Sequence, residues 1–307
     1  MSPILFYHRD LNKTKKKGLS QLIRSFYIRR FLRIFPIYYL LIIGLFLVNY
    51  QNTREIMPWL ITYTSNIQQS IYGNDLGNFN HFWSLAVEEQ FYIFWPFLIL
   101  FATPKRSLEI ILAVILLSLA SRTYLFANDY NWMAISYFTL SNMQALGIGA
   151  LLAYIFQYKN SLVNQLSKSI WVYSGILIYV GGFLVKMIYK LDWYGEIFDT
   201  FVFSCTVSLI ILRASTKGFT GGMKYLLENR IVTYAGKISY GLYIFHLFIP
   251  GLIYWLIPAT AGYNGAHAYS KYLLFIFYYL ITFLFAHLSW KLIESPLNNL
   301  KQKFPYQ

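Results

Sequence analysis

Long apolar runs separated by short polar stretches repeat along the whole chain. A helix that spans a bilayer needs roughly 20 predominantly apolar residues. Eight stretches come near that length: residues 34–50, 82–101, 108–127, 135–157, 170–189, 197–212, 238–257 and 272–293. Residues 57–72 are too short and too polar for a ninth span and read as an interfacial or re-entrant piece. The pattern predicts an all-α, polytopic integral membrane helical bundle of about eight transmembrane helices, with both termini cytoplasmic. It reads as one domain over 1–307, with a basic cytoplasmic segment at 1–33, the bundle at 34–293 and a cytoplasmic tail at 294–307. No internal repeat is evident. Gly147, Gly149, Gly181 and Gly182 lie within spans, where small residues let helix backbones approach closely.

Composition sharpens the class. Of the 307 residues 57% are hydrophobic, 20% aromatic and only 12% charged, with a mean hydropathy of +0.45. Soluble domains carry about a quarter charged residues. A net charge of +14 would also suit a nucleic-acid binder, but its placement argues against one. With the N-terminus inside, 21 of the 26 Lys and Arg residues fall on inner segments; the rest, Arg54, Arg122, Lys186, Lys190 and Lys271, fall outside. That is the positive-inside pattern, reinforced by anionic lipid headgroups. The bilayer is therefore the expected partner and nucleic acid is not. The expected location is a bacterial cytoplasmic (inner) membrane. Cys205, alone in an apolar run, offers neither a disulfide framework nor a thiolate metal site, and no two histidines are spaced for zinc. Residues 1–17 are too polar for a cleavable signal peptide.

The stretch that asks for chemistry is His81-Phe82-Trp83-Ser84-Leu85-Ala86-Val87-Glu88-Glu89-Gln90, which opens the second span. Ionisable groups in membrane spans are expensive and usually face a bundle interior or a watery cavity. His81, Ser84 and Glu88 are spaced i, i+3, i+7 and share a face if the helix already includes His81. His81 then lies near the outer interface, with Glu88 about 10 Å further in at 1.5 Å per residue. A carboxylate at that depth suits a general acid/base or an orienter of a histidine. The plainer alternative is a structural glutamate bonded to a neighbouring helix, which is the preferred reading for Glu89. His81 is a candidate base, or else a polar anchor at the interface.

Three further motifs stand out. Arg30 and Arg33, at i, i+3 by the inner mouth of the first span, can converge on one anion, and guanidinium forks match phosphate oxygens. The alternative is simple anchoring, but that would not discriminate Arg from Lys, and here Lys fills the upstream run while Arg holds the membrane edge. Ser239, Tyr243 and His246 recur at i, i+4, i+7 as a polar stripe on an apolar span, a substrate contact or an inter-helix hydrogen-bond network. Glu294, before Ser295-Pro296 at the inner end of the last span, is read first as a cap or salt-bridge partner of the inner arginines.

In this order and spacing, Arg30-x-x-Arg33 with Pro36, Trp83-Ser84-Leu85-x-x-Glu88 with Phe91-Tyr92, Ser239-Tyr240-x-x-Tyr243-x-x-His246, and Glu294-x-Pro296 resemble acyltransferase family 3 over essentially the whole chain. The resemblance implies a bundle of about ten helices that moves an acyl group, often acetyl, from cytoplasmic acyl-CoA to sugars of surface polysaccharides. It implies no tightly bound cofactor: acyl-CoA, expected to be acetyl-CoA, is a co-substrate, and a carbohydrate acceptor is the partner. Glu88 and His81 are then the catalytic candidates, Arg30 and Arg33 the CoA-phosphate candidates. Trp83, Ser84, Ser239, Tyr243, His246 and Glu294 are the substrate-contacting or structural polar residues. The family opens with a helical hairpin carrying an arginine and, about a dozen residues on, the proposed catalytic histidine. This chain begins at what looks like the tail of the second helix, residues 3–7, and His8 is not a match. The expectation is therefore a chain lacking the family's first two helices. The competing readings are a non-enzymatic protein of envelope-glycan export or assembly, and an inactive N-terminally truncated acyltransferase.

Overall fold

The computed structural model describes residues 19–256 and 268–305, and among these every regular element is a helix. Residues 1–18, with the basic run and His8, and residues 257–267, with Pro258 and His267, lie outside the described residues. The helices are α1 (Leu19–Leu47), α2 (Thr53–Ile61), α3 (Ser65–Tyr72), α4 (Phe82–Leu100), α5 (Pro104–Ala127), α6 (Trp132–Tyr137), α7 (Thr139–Tyr158) and α8 (Asn160–Leu166). They continue with α9 (Ser169–Tyr189), α10 (Thr200–Thr216), α11 (Gly221–Leu227), α12 (Arg230–Lys237), α13 (Ser239–Phe245), α14 (Phe248–Leu256), α15 (Ala268–Ser289) and α16 (Ser295–Asn299). Local chemistry sets several starts. Thr103 accepts a hydrogen bond from the Arg106 amide, with Pro104 in the first turn, and Asn131 and Asn229 cap α6 and α12 in the same way.

Six helical stretches are long and apolar enough to cross a membrane: Ser20–Leu47, Pro104–Ala127, Trp132–Tyr158, Ser169–Tyr189, Asp192–Thr216 and Tyr272–Lys303. They account for six of the eight predicted spans. The other two differ for stated physical reasons. The 82–101 stretch does form one helix, α4, of 19 residues, but Glu88, Glu89 and Gln90 dilute its apolarity. The 238–257 stretch is not continuous: α13 ends at Phe245 and α14 begins at Phe248. Pro250 accounts for the break. It has no N–H to give the carbonyl four residues back, that of His246, and its ring crowds that carbonyl. The 57–72 piece forms α2 and α3; Ser65, Asn66, Gln68, Gln69 and Ser70 on α3 are all buried.

The described chain forms two units. The first comprises Thr62–Asp75 and Phe82–Gly221. Here α5 and α7 pack at close range because Gly147 has no side chain: a Cβ there would lie 2.7 Å from Ile115 Cγ1. The α9–α10 pair closes over Gly175, whose carbonyl accepts from Thr206 Oγ1 at 3.1 Å. Arg122, buried at 3% exposure, donates through Nε to the Glu196 carbonyl and through Nη1 to Ser141 O at 3.4 Å. On α9, Leu177, Ile178, Met187 and Ile188 are 61–73% exposed. Apolar surface on that scale needs lipid as its solvent, so the protein is an integral membrane protein.

The second unit is built from Lys17–Ile61, Leu76–His81 and Gly222–Gln307. Its α1 is tied to α2 by Tyr38 Oη, which donates to Leu60 O at 2.8 Å, and to α13 by Tyr240 Oη, which donates to Ile34 O at 2.6 Å. Beyond α15 the helix widens into a π-turn at Trp290–Glu294 before α16. The Ser295 amide bonds back five residues to the Trp290 carbonyl. Pro296 again explains the irregularity, since it cannot serve the carbonyl of Leu292.

Candidate functional site

In the first unit, α4 presents two adjacent carboxylates with opposite surroundings. Successive helical residues point about 100° apart. Glu89 turns inward and is 6% exposed, whereas Glu88 is exposed. Glu88 therefore does not have the desolvated setting expected from its depth in the apolar run; its carboxylate is open to an incoming molecule. Ser84, one turn earlier, is half-buried on the same flank. Trp83 stacks on Tyr137 of α6, with ring centroids 4.8 Å apart and planes inclined by 17°, which fixes the start of α4. Helix α4 begins at Phe82, so His81 precedes it and the expected continuous face from His81 through Ser84 to Glu88 does not form.

A polar network that sequence reading missed surrounds the next turn. Gln90 Nε2 donates to the Tyr63 carbonyl at 2.7 Å and to Asn66 Oδ1 at 2.8 Å. Asn66 Nδ2 donates to Thr139 Oγ1 at 2.8 Å and to Tyr137 O at 3.1 Å, and Thr139 Oγ1 donates to Gln90 Oε1. The signal was available in Ser65-Asn66 and Gln68-Gln69-Ser70. So polar a run between apolar neighbours is tolerable when its polar face is buried and bonded.

The second unit gathers the remaining candidates. At one corner, His81 lies against Tyr243, His246 and Phe248, with ring centroids 5.1, 4.8 and 5.6 Å away. Tyr243 Oη donates to the His81 carbonyl. His246 follows the last residue of α13, at the break, and is exposed. Its Nδ1 lies 2.7 Å from the Tyr243 carbonyl. A carbonyl only accepts, so Nδ1 carries the proton and Nε2 keeps a lone pair. Ser239 is exposed at the start of α13, and the tie to α1 is made by Tyr240 instead.

Burial first, and then the neighbouring His246, pull the His81 imidazole down from 6.5 to about 3, against the backbone of Asn78 and Ile244, which favour the protonated form. The folded protein thus holds a neutral His81 while the unfolded chain takes up a proton below pH 6.5. His81 leaves stability untouched above that pH and costs stability progressively as pH falls toward 3. In a pH series of ring resonances from His81 labelled in detergent-solubilised protein, the signals are expected to stay fixed between pH 5 and 8. A titration inside that window would contradict this packing.

At the other corner, α1 carries Arg29, Arg30 and Arg33. Arg29 is committed to the fold: its Nη1 donates to the carbonyls of Lys301 at 2.8 Å and Phe304 at 3.2 Å. Arg30 is half-buried and Arg33 exposed. The Arg33 charge lies within electrostatic range of Glu294 and Lys301. Glu294 is 3% exposed and accepts a hydrogen bond from Ser289 Oγ at 2.7 Å. Ser289 and Glu294 are five residues apart, and the π-turn brings such a pair onto one face. The carboxylate lies against Gly241, where an added Cβ would be 3.2 Å from Glu294 Oε1.

Residues 18–294 match the family profile described as an acyltransferase domain. The peptidoglycan O-acetyltransferase OatA of Listeria monocytogenes is 25% identical over 303 residues, covering 92% of this chain and 47% of its own. The O-acetyltransferase OatA of Staphylococcus aureus (strain NCTC 8325) is 28% identical over 233 residues, covering 71% of this chain and 36% of its own. A third relative, from Staphylococcus aureus (strain COL), is 26% identical over 298 residues, covering 89% of this chain and 47% of its own. The chain thus spans about half the length of the curated relatives it matches. No solved structure gives a significant match.

Proposed function

Since the chain belongs to acyltransferase family 3, we propose that it is a membrane O-acetyltransferase that carries acetyl from cytoplasmic acetyl-CoA to a hydroxyl of a cell-envelope polysaccharide or its lipid-linked precursor. Its expected home is the bacterial cytoplasmic membrane, with both termini inside. The names of the two OatA relatives point to an envelope sugar as acceptor.

The observation that supports this reading most is the division of labour on α1. Arg29 is spent on backbone carbonyls, whereas Arg33 is exposed beside Lys301. An exposed guanidinium with a second cation nearby suits the phosphates of CoA, and Arg30 joins it from the preceding turn. The chemistry then needs a proton acceptor for the attacking hydroxyl. Glu88 and the His81–His246 corner supply the acid–base groups, with Glu88 as the open carboxylate.

Membranes containing the chain, given acetyl-CoA labelled in the acetyl group, are expected to label envelope glycan. Arg33→Ala is expected to raise the KM for acetyl-CoA about tenfold with kcat little changed, because a hydrogen bond to a charged group is worth about 1.5–3 kcal/mol. Arg33→Lys keeps the charge and recovers part of the loss. Unlabelled glycan would sink the reading, and glycan export without consumption of acetyl-CoA would favour a transporter.

A further inference from the structure

The break between α13 and α14 puts a histidine with a fixed tautomer at the end of a half-helix. In membranes, irregular backbone is tolerated where it is buried in protein or lines a cavity, and interrupted spans often mark the place where a ligand is handled. Here the interruption follows from His246-Leu247-Phe248-Ile249-Pro250, and it leaves His246 exposed at the C-terminal end of α13. The Tyr243 carbonyl takes the Nδ1 proton, so Nε2 is the ring atom left to accept one.

Resting on the acetyltransferase reading above, we propose that His246 Nε2 is the general base of the transfer and that His81 is its positioning residue. The step balances without any further reactant. The acceptor hydroxyl oxygen attacks the thioester carbonyl as its proton passes to Nε2; a C–O bond forms and the C–S bond breaks. The imidazolium then returns the proton to the departing CoA thiolate, giving an ester and a free thiol. Its Nδ1–H stays on the Tyr243 carbonyl throughout, which keeps the ring from flipping.

His81 is suited to positioning by its contacts. Its ring packs edge-on to His246, at 4.8 Å and 70°, and to Tyr243, while its backbone carbonyl receives the Tyr243 hydroxyl. Tyr243 thus holds both histidines, one through its carbonyl and one through its hydroxyl. Phe248, the first residue of α14, closes the other side of His81 and packs on Phe79 and Tyr50. The titratable groups facing this corner within the unit are His81 from the 76–81 segment, Tyr243 on the same helix and Tyr38 from α1. Further along α13, Glu294 from the last helix approaches Gly241, and on α12 Tyr234 bonds His287 Nδ1 of α15 at 2.6 Å. A neutral His81 beside His246 leaves the second ring to take the proton.

The test uses the chain in membranes and reads the pH profile of kcat/KM for acetyl transfer. The wild-type rate is expected to rise with pH through one ionisation. His246→Ala is expected to lose 100-fold or more, to lose that ionisation, and to recover in part with added imidazole. His81→Asn is expected to lower kcat by a smaller factor while keeping the ionisation. Modification of the folded protein with diethyl pyrocarbonate, read by mass spectrometry, is expected to mark His246 before His81. If wild-type membranes transfer acetyl and His246→Ala keeps both rate and profile, or loses rate with the ionisation intact and no imidazole rescue, the role of His246 is overturned alone. If wild-type membranes transfer none while His246 is still marked first, the acetyltransferase reading falls, and the role with it.

Discussion

Glu88→Gln is expected to lower acetyl transfer by about 100-fold or more, within the range of roughly 10²–10⁴ that a positioned acid–base group contributes. The substitution keeps size and hydrogen-bonding capacity and removes only the charge. Glu88 is exposed on α4, so losing that charge leaves no buried gap and the protein should accumulate normally. Glu89→Gln, one residue on, is the paired control. Glu89 is 6% exposed, and its replacement is expected to act on folding, with a lower thermal midpoint and kcat per folded molecule largely retained. Initial rates on membranes normalised to folded protein separate the two. Equal loss of kcat in both variants would mean that the two carboxylates are not divided as their exposures imply.

The second large effect is expected at Gly241. A methyl there would lie 3.1 Å from Ala286 Cα, 3.2 Å from Ala286 Cβ and 3.2 Å from Glu294 Oε1, so α13 and α15 meet backbone to backbone. Gly241→Val asks these helices to separate, and overpacking of this kind costs about 1–3 kcal/mol. The displaced helix carries Tyr240, Tyr243 and the approach to His246, so activity should fall beyond what the lost stability explains. Gly236→Ala, five residues earlier, is the contrast: a Cβ there meets open space, and alanine favours α12 by up to about 1 kcal/mol over glycine. Thermal melting of both variants in detergent, with acetyl transfer measured below the lower midpoint, checks the pair. A Gly241→Val protein as stable and active as wild type would contradict the close helix contact.

The contrast between Gly241 and Gly236 shows where sequence reading stops. Both are glycines in one motif region, and only the partner helix, more than forty residues on, distinguishes them. The same holds among spans. Gly147 and Gly182 mark tight packing, against Ile115 and Tyr194, but Gly181 faces open space. Long apolar helices were legible because the bilayer imposes length and composition on each one locally. The 238–257 span was misread as continuous although Pro250 was in view, because hydropathy averages over a proline while the backbone does not. The opposite exposures of Glu88 and Glu89 follow from helical geometry once the facing elements are known. His81 was placed on the wrong element because its neighbours, Tyr243 and His246, are more than 160 residues away. Arg29 was grouped with Arg30 and Arg33 for a similar reason: its targets are backbone carbonyls near the far end of the chain, which no side-chain pattern announces.

The π-turn at Trp290–Glu294 gives the last helix an unequal tolerance of change. Leu292 is 67% exposed and should accept almost any apolar replacement. Deleting a single residue between 290 and 294 is another matter, although it would restore a regular helix. Everything downstream would rotate by about 100° and advance by about 1.5 Å. Glu294 would leave Ser289 and Gly241, and the Lys301 and Phe304 carbonyls would leave Arg29. This segment is constrained in its residue count more than in its residue types. Among natural variants of the chain, point changes should be common there and insertions or deletions rare.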